Sequence, residues 1–169
     1  MEFLPKMHSI LAFDAENTVC FHRPFHMIEQ WMKLPYEEHA DEATKHLLDS
    51  THFRESRMPT AIVNTDKAIF YFQKAEDIIL CFITHPDENE IFIAKMVNCI
   101  QQSLDELIPD RCSLSSETLR LDIDTFNWVI DAVIDDGVII CINPQKVVAQ
   151  VKPFVQTKIV NPGNATQAK

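Results

Sequence analysis

The chain has 169 residues, 46% apolar and 24% charged, which suits one soluble globular domain with a sizeable core. Its net charge of −10 disfavours nucleic acid and anionic lipid, because both need Lys and Arg to displace counterions, and it is compatible with docking on a basic protein surface. With only two glycines, Gly137 and Gly163, a phosphate-cradling P-loop or dinucleotide fingerprint is excluded.

Met1 to Lys6 has neither a long apolar stretch nor a cleavage site, so no targeting segment is expected. The longest apolar run, Ile78 to Ile83, is six residues, too short for a membrane-spanning helix. Any membrane role is therefore expected to act through a partner.

Short apolar runs at Ile10 to Phe13 and Val19 to Phe21 flank Asp14-Ala-Glu-Asn17, which predicts a hairpin. Pro24 blocks continuation of the second strand. Helical composition follows from Ile28 to Leu48, interrupted by Pro35 and strongest from Tyr36 to Leu48. Asp49 to Pro59 reads as a loop. Ala61 to Val63, Ala68 to Phe72 and Ile78 to Ile83 are strand candidates, and their short connections imply an antiparallel meander. The last two are apolar at consecutive positions, as in strands covered on both faces, so helices are expected on each side of the sheet.

After Pro86, Asp87 and Glu90 have capping-box spacing, and Ile93, Met96, Val97, Ile100, Leu104 and Leu107 form one helical stripe ended by Pro109. A second long helix is expected from Ser115 or Ser116 to Asp136, with a core stripe of Leu119, Ile123, Phe126, Ile130, Val133 and Ile134. Gly137 stands where a left-handed C-terminal cap belongs. Val138 to Ile142 is strand-like, and Asn143-Pro144 turns into a short helix, Gln145 to Val151. The order is β-β-α-β-β-β-α-α plus a short helix. One domain is expected over residues 1–155, and the polar residues 156–169 are expected to form a disordered tail.

The cysteines, Cys20, Cys81, Cys99, Cys112 and Cys141, are five, an odd number without a CxxC pair, and read as reduced thiols of a cytosolic protein. His22 and His26 stand four residues apart, but Pro24 lies between them and no HExxH pattern accompanies them, so no metal is expected. Cys20 beside His22 has the residue types of a nucleophile and base but no family signature. The acids Asp122, Asp124, Asp131, Asp135 and Asp136 spread around a helix as a solvated face does. No catalytic group and no cofactor are expected. On the second long helix, Leu121, Trp128 and Ala132 fall almost opposite the core stripe. Either that helix is buried on both sides or this second stripe is a partner-binding face, since Trp is enriched at interaction hot spots.

The ordered set of motifs resembles the small subunits of vesicle coats, which share a longin-like fold, and most closely the zeta subunits of coatomer. Asp131 to Ile139 is similar to the segment where a zeta helix ends at an Asp-Gly-Val-Ile-like sequence, and Pro144-Gln-Lys-Val-Val148 follows as in that family. Glu88-Asn-Glu-Ile91, Thr51-His52 and Ile10 to Asp14 fit in the same order, and the similarity spans residues 8–152. It departs at Asn17, where a Gly is usual, and at Phe21-His-Arg-Pro-Phe25, where a tyrosine-rich strand end is usual. The resemblance implies an α+β, longin-like fold with a five-stranded antiparallel sheet flanked by helices on both faces. It also implies a non-catalytic subunit of the COPI coat, seated in a large solenoid subunit, gamma-coatomer, among the other coatomer subunits. An Arf GTPase would recruit that complex from the cytoplasm to Golgi membranes for transport towards the endoplasmic reticulum. A sigma-type clathrin adaptor subunit and a stand-alone longin-like regulator are the alternatives of related fold.

Overall fold

The computed structural model describes residues 5–26, 33–50, 52–108 and 114–160, with side chains to residue 158. Cys112, Pro109, Thr51 and the tail from residue 161 onward lie outside the described residues.

Strands β1 (Met7–Phe13) and β2 (Val19–Pro24) form the expected hairpin. A 3-10 turn, Tyr36–Glu38, leads into α1 (His39–Asp49). Strands β3 (Thr60–Asn64), β4 (Ile69–Lys74) and β5 (Ile79–Thr84) form the meander. One five-stranded sheet results, in the order β2-β1-β5-β4-β3, with every pairing antiparallel. Strand β1 thus pairs centrally with β5, and β2 and β3 become the two edges.

Side chains alternate across this sheet as the pleat requires. Leu11, Phe13, Phe70, Phe72, Ile79, Cys81 and Ile83 pack under Ala43 and Leu47 of α1 and Phe53 of the following loop. Ile10, Ala12, Ile69, Tyr71, Leu80 and Phe82 pack against the remaining helices on the opposite face. Met7 joins Ile10 on that second face, three residues away, because the β1–β5 register shifts between Met7 and Ser9. Both faces are covered, which explains the unbroken apolar runs of β4 and β5. Each large side chain here, such as Phe70, Phe72 or Phe82, contributes about 1.5–3 kcal/mol on burial before entropy is charged against it.

Helix α2 (Glu90–Leu107) buries the expected stripe Ile93, Met96, Val97, Ile100 and Leu104. Its cap differs from expectation. The Asn89 side chain accepts from the N–H groups of Ile91 and Phe92, whereas the Asp87 N–H donates to the His85 ring within the preceding turn. Asp87 stands two residues before the cap position, which Asn89 fills.

The second long helix is two helices. Ser115 caps α3 (Ser116–Leu121) as expected, Asp122 leaves helical geometry at φ −123, and α4 (Ile123–Val133) starts afresh. Helix α4 stops at Val133 because Ile134 is extended and enters a two-stranded hairpin, β6 (Ile134–Asp135) and β7 (Val138–Ile139). Asp136 and Gly137, with φ 45 and 92, both occupy the left-handed region, as a two-residue hairpin turn of the primed type demands. Gly137 therefore serves a hairpin turn and not a helix cap. Its carbonyl accepts from the Met7 N–H at 2.7 Å, and the Ile139 N–H donates to Pro5 at 3.0 Å, so the hairpin clasps the start of β1.

Helix α5 (Pro144–Val160) is longer than the expected Gln145 to Val151. Residues 156–160, expected in the tail, continue this helix. Val147 and Val151 are buried against α2 and α4, so α5 forms an outer layer over the helical face.

Candidate partner-binding site

The three residues singled out on the second stripe meet different fates. Ala132 is 2% exposed and sits in the core with Val129, Val147 and Val151. Trp128 is partly buried, with its ring 5.7 Å from that of Phe154 on α5. Lys158 reaches Asp124 at 3.1 Å across the same pair of helices. Leu121, at the end of α3, is 45% exposed. Leu121, Trp128 and Ala132 therefore do not share one open face. Helix α5 covers the stripe, so α4 carries apolar side chains on two faces because both are packed against neighbouring elements, while Asp124 and Asp131 stay exposed between them. Leu121 alone of the three remains open to a partner.

The histidines and cysteines form no catalytic constellation among the described residues. The Cys20 thiol donates to the Ala12 carbonyl at 3.4 Å, and burial together with the Asp14 carboxylate pushes it up, away from the thiolate a nucleophile needs. Cys81 is fully buried and its thiol is pushed well up, while burial drives Cys99 up to about 11. His22 lies on β2 and His26 stacks edge-on with Tyr36, away from any shared ligand position. Among the described residues, no group of three or more His, Cys, Asp and Glu side chains could hold a metal ion.

A buried histidine cluster does lie at one end of the sheet, formed by residues that no local spacing links. The rings of His8 and His39 stack at 6.0 Å, and His85 meets His8 edge-on at 6.0 Å. Ser9 hydroxyl donates to His39 Nδ1 at 2.9 Å, and His39 Nε2 donates to the Leu34 carbonyl at 3.1 Å. The Leu34 oxygen can only accept, which places the proton on Nε2. Burial first, then the neighbouring His39, His85 and Lys6, lowers His8 to about 3. Burial lowers His39 to about 4, against the opposing hydrogen bond to Leu34. Neutral, mutually stacked rings of this kind fill a core.

A shallow groove of about 250 Å³ lies between α1 and the β3–β4 turn, floored by Leu34 and Phe70. Its rim alternates Lys45 and Lys67 with Glu42 and Asp66, and Lys45 already stands 3.6 Å from Glu42. The features open to recognition are surface ones. Ile62 on β3 is 40% exposed and Ile91 on the first turn of α2 is 68% exposed. The exposure of Ile62 is not legible in the sequence, because the position of β3 at a sheet edge depends on strand order.

Residues 6–158 match the family of clathrin adaptor complex small chains. The chain belongs to that family. Small adaptor subunits of vesicle coats are the class that this match shows, and the sheet with helices on both faces is consistent with it. Among solved structures, the chain resembles one from a homology model of the full-length AP-3 complex in a stretched open conformation. That match has 17% identity and a TM-score of 0.50, and covers 92% of this chain and 97% of the other. A Roadblock/LC7 domain from Streptomyces avermitilis is more distant, with 12% identity, a TM-score of 0.37 and coverage of 54% and 77%. No curated protein sequence matches the chain. Among the described residues no helix is long and apolar enough to cross a membrane.

Proposed function

We propose that this chain is the non-catalytic small subunit of a COPI-type coat, pairing with a large solenoid subunit of the gamma-coatomer kind. Through that partner, and recruited by an Arf GTPase, it would work on Golgi membranes in transport towards the endoplasmic reticulum. The family match over residues 6–158 supports the subunit role. The observation that carries the zeta-like reading is the segment Asp131 to Ile139 followed by Pro144 to Val148. Its Asp136-Gly137 pair forms the left-handed turn that clasps β1, so this stretch has a structural duty specific to its sequence.

A second reading, a sigma-type subunit of a clathrin adaptor, is favoured by the likeness to a component of an AP-3 complex. Co-expression in parallel with the trunks of gamma-coatomer and of the adaptor large chains from one source separates the two. A stoichiometric complex with gamma-coatomer alone is expected. Capture by an adaptor trunk instead would move the chain to the sigma class.

A further inference from the structure

The two edges of the sheet are unlike. Edge strand β2 carries His22, Arg23 and Pro24, and its pairing with β1 is broken by a register shift at Ala12 and Phe13. Arg23 further anchors it to α4 through the Asn127 side chain at 2.9 Å and through Asp131. Charge, proline and irregular pairing are the devices that keep an edge from accepting another strand. Edge strand β3 has none of them: Thr60-Ala-Ile-Val-Asn64 contains no charge and no proline, and its register with β4 is unbroken.

The hydrogen-bond alternation shows which groups are open. Lys74 N–H donates to Pro59 at 2.8 Å and Thr65 N–H donates to Ala68 at 3.0 Å, so positions 59, 61, 63 and 65 face β4. The N–H and C=O groups of Thr60, Ile62 and Asn64 therefore point away from the sheet. No described residue pairs with them. Ile62 is 40% exposed on the α2 side of this strand, and the Asn64 amide bonds to Glu90, which brings the first turn of α2 and exposed Ile91 beside it.

We infer that β3 is completed in the assembly by an extended, apolar-centred segment of the large partner subunit, which adds a sixth strand beside Ile62. A second copy of this chain fits poorly. A five-residue edge offers about 17 Å by 10 Å on each side, well below the roughly 1,200 Å² that a stable interface buries in total. The net charge of −10 also opposes self-association. The occupant must therefore be held elsewhere by the same partner, and a backbone-paired strand then supplies register and orientation. The inference rests on reading the chain as a small subunit of such a complex.

Amide hydrogen exchange of the full chain, free and bound to its large subunit, tests it. In the free chain the amides of Ala61 and Val63 exchange slowly and those of Thr60, Ile62 and Asn64 exchange fast. In the complex the latter three slow by at least about tenfold. Ile62→Pro removes the outward donor without touching a bond to β4, and is expected to weaken the complex about tenfold or more while the free chain keeps its melting temperature. Ile62→Thr, which keeps the donor, loses less. Unchanged exchange in a complex that does form, or full affinity of Ile62→Pro, would overturn the inference and leave the subunit reading standing. Failure of the wild-type chain to bind any large subunit would overturn both. Concentration-dependent protection in the free chain would assign the edge to a second copy. If Ile62→Pro does not fold, exchange in the wild-type complex decides the matter.

Discussion

Neither ring nitrogen of His8 has a hydrogen-bond partner among the described residues, and the ring is 1% exposed. With His8 lowered to about 3 and His39 to about 4 from an ordinary 6.5, the unfolded chain binds more protons than the folded one throughout that interval. Stability is therefore full above about pH 6.5 and falls as pH drops towards 4. At about pH 5.5 each ring costs about 1.4 kcal/mol. Denaturant titrations across pH 7.5 to 5 check this, and His8→Met is expected to reduce the acid slope by one proton. An unchanged slope would show that the cluster does not report on folding. A second residue-scale device is Arg54. It bonds Asn17 Oδ1 at 2.8 and 3.1 Å and the Asp14 carbonyl at 2.6 Å, pinning the β1–β2 turn from the loop after α1. Asn17 takes φ 60, the left-handed value that explains why Asn can stand where the resembling family has Gly. Arg54→Ala and Asn17→Ala are each expected to cost about 1–3 kcal/mol, and the double variant less than their sum, in a denaturant-midpoint cycle. The sequence made the turn legible through Asp14 and Asn17. Arg54 lies 37 residues from Asn17, and no local pattern joins them.

At the scale of elements, the helical stripes of α2 and α4 were legible because their periodicity reflects one buried face. The break at Asp122 and the end at Val133 were not, because Ile134 fits a helical stripe and a strand equally well. The Asp136-Gly137 turn decides between them. Gly137→Ala at φ 92 is expected to cost about 1–2 kcal/mol, read as a lowered melting temperature. The length of α5 was hidden by Pro153 inside it, which reads as a terminator. That helix explains the apolar Trp128 opposite the core stripe: its cover comes from Phe154, beyond the Gln145 to Val151 span that the sequence predicts. Trp128→Ala is expected to lose about 2–4 kcal/mol of stability, and Leu121→Ala under about 0.5 kcal/mol, by thermal melts of the two variants. A Trp128→Ala chain that melts like wild type but loses partner affinity would restore the docking role.

Over the whole molecule, the layered architecture followed from β4 and β5 being apolar at consecutive positions. Strand order did not, since the central β1–β5 pairing joins segments about seventy residues apart that no turn signal links. The partner-facing surface was the least legible feature. Exposure of Ile62 depends on β3 being an edge, and the burial of Ala132 on a helix that looked shorter. An acidic chain with an unguarded edge and no catalytic constellation among its described residues is suited to assembly. The most direct test is thermal unfolding of the chain with and without an excess of the large-subunit trunk. A one-to-one complex is expected, with a melting temperature raised in proportion to binding, about 2.7 kcal/mol of added stability at a trunk concentration one hundred times Kd. A melting temperature unmoved by every large coat subunit tried would contradict it.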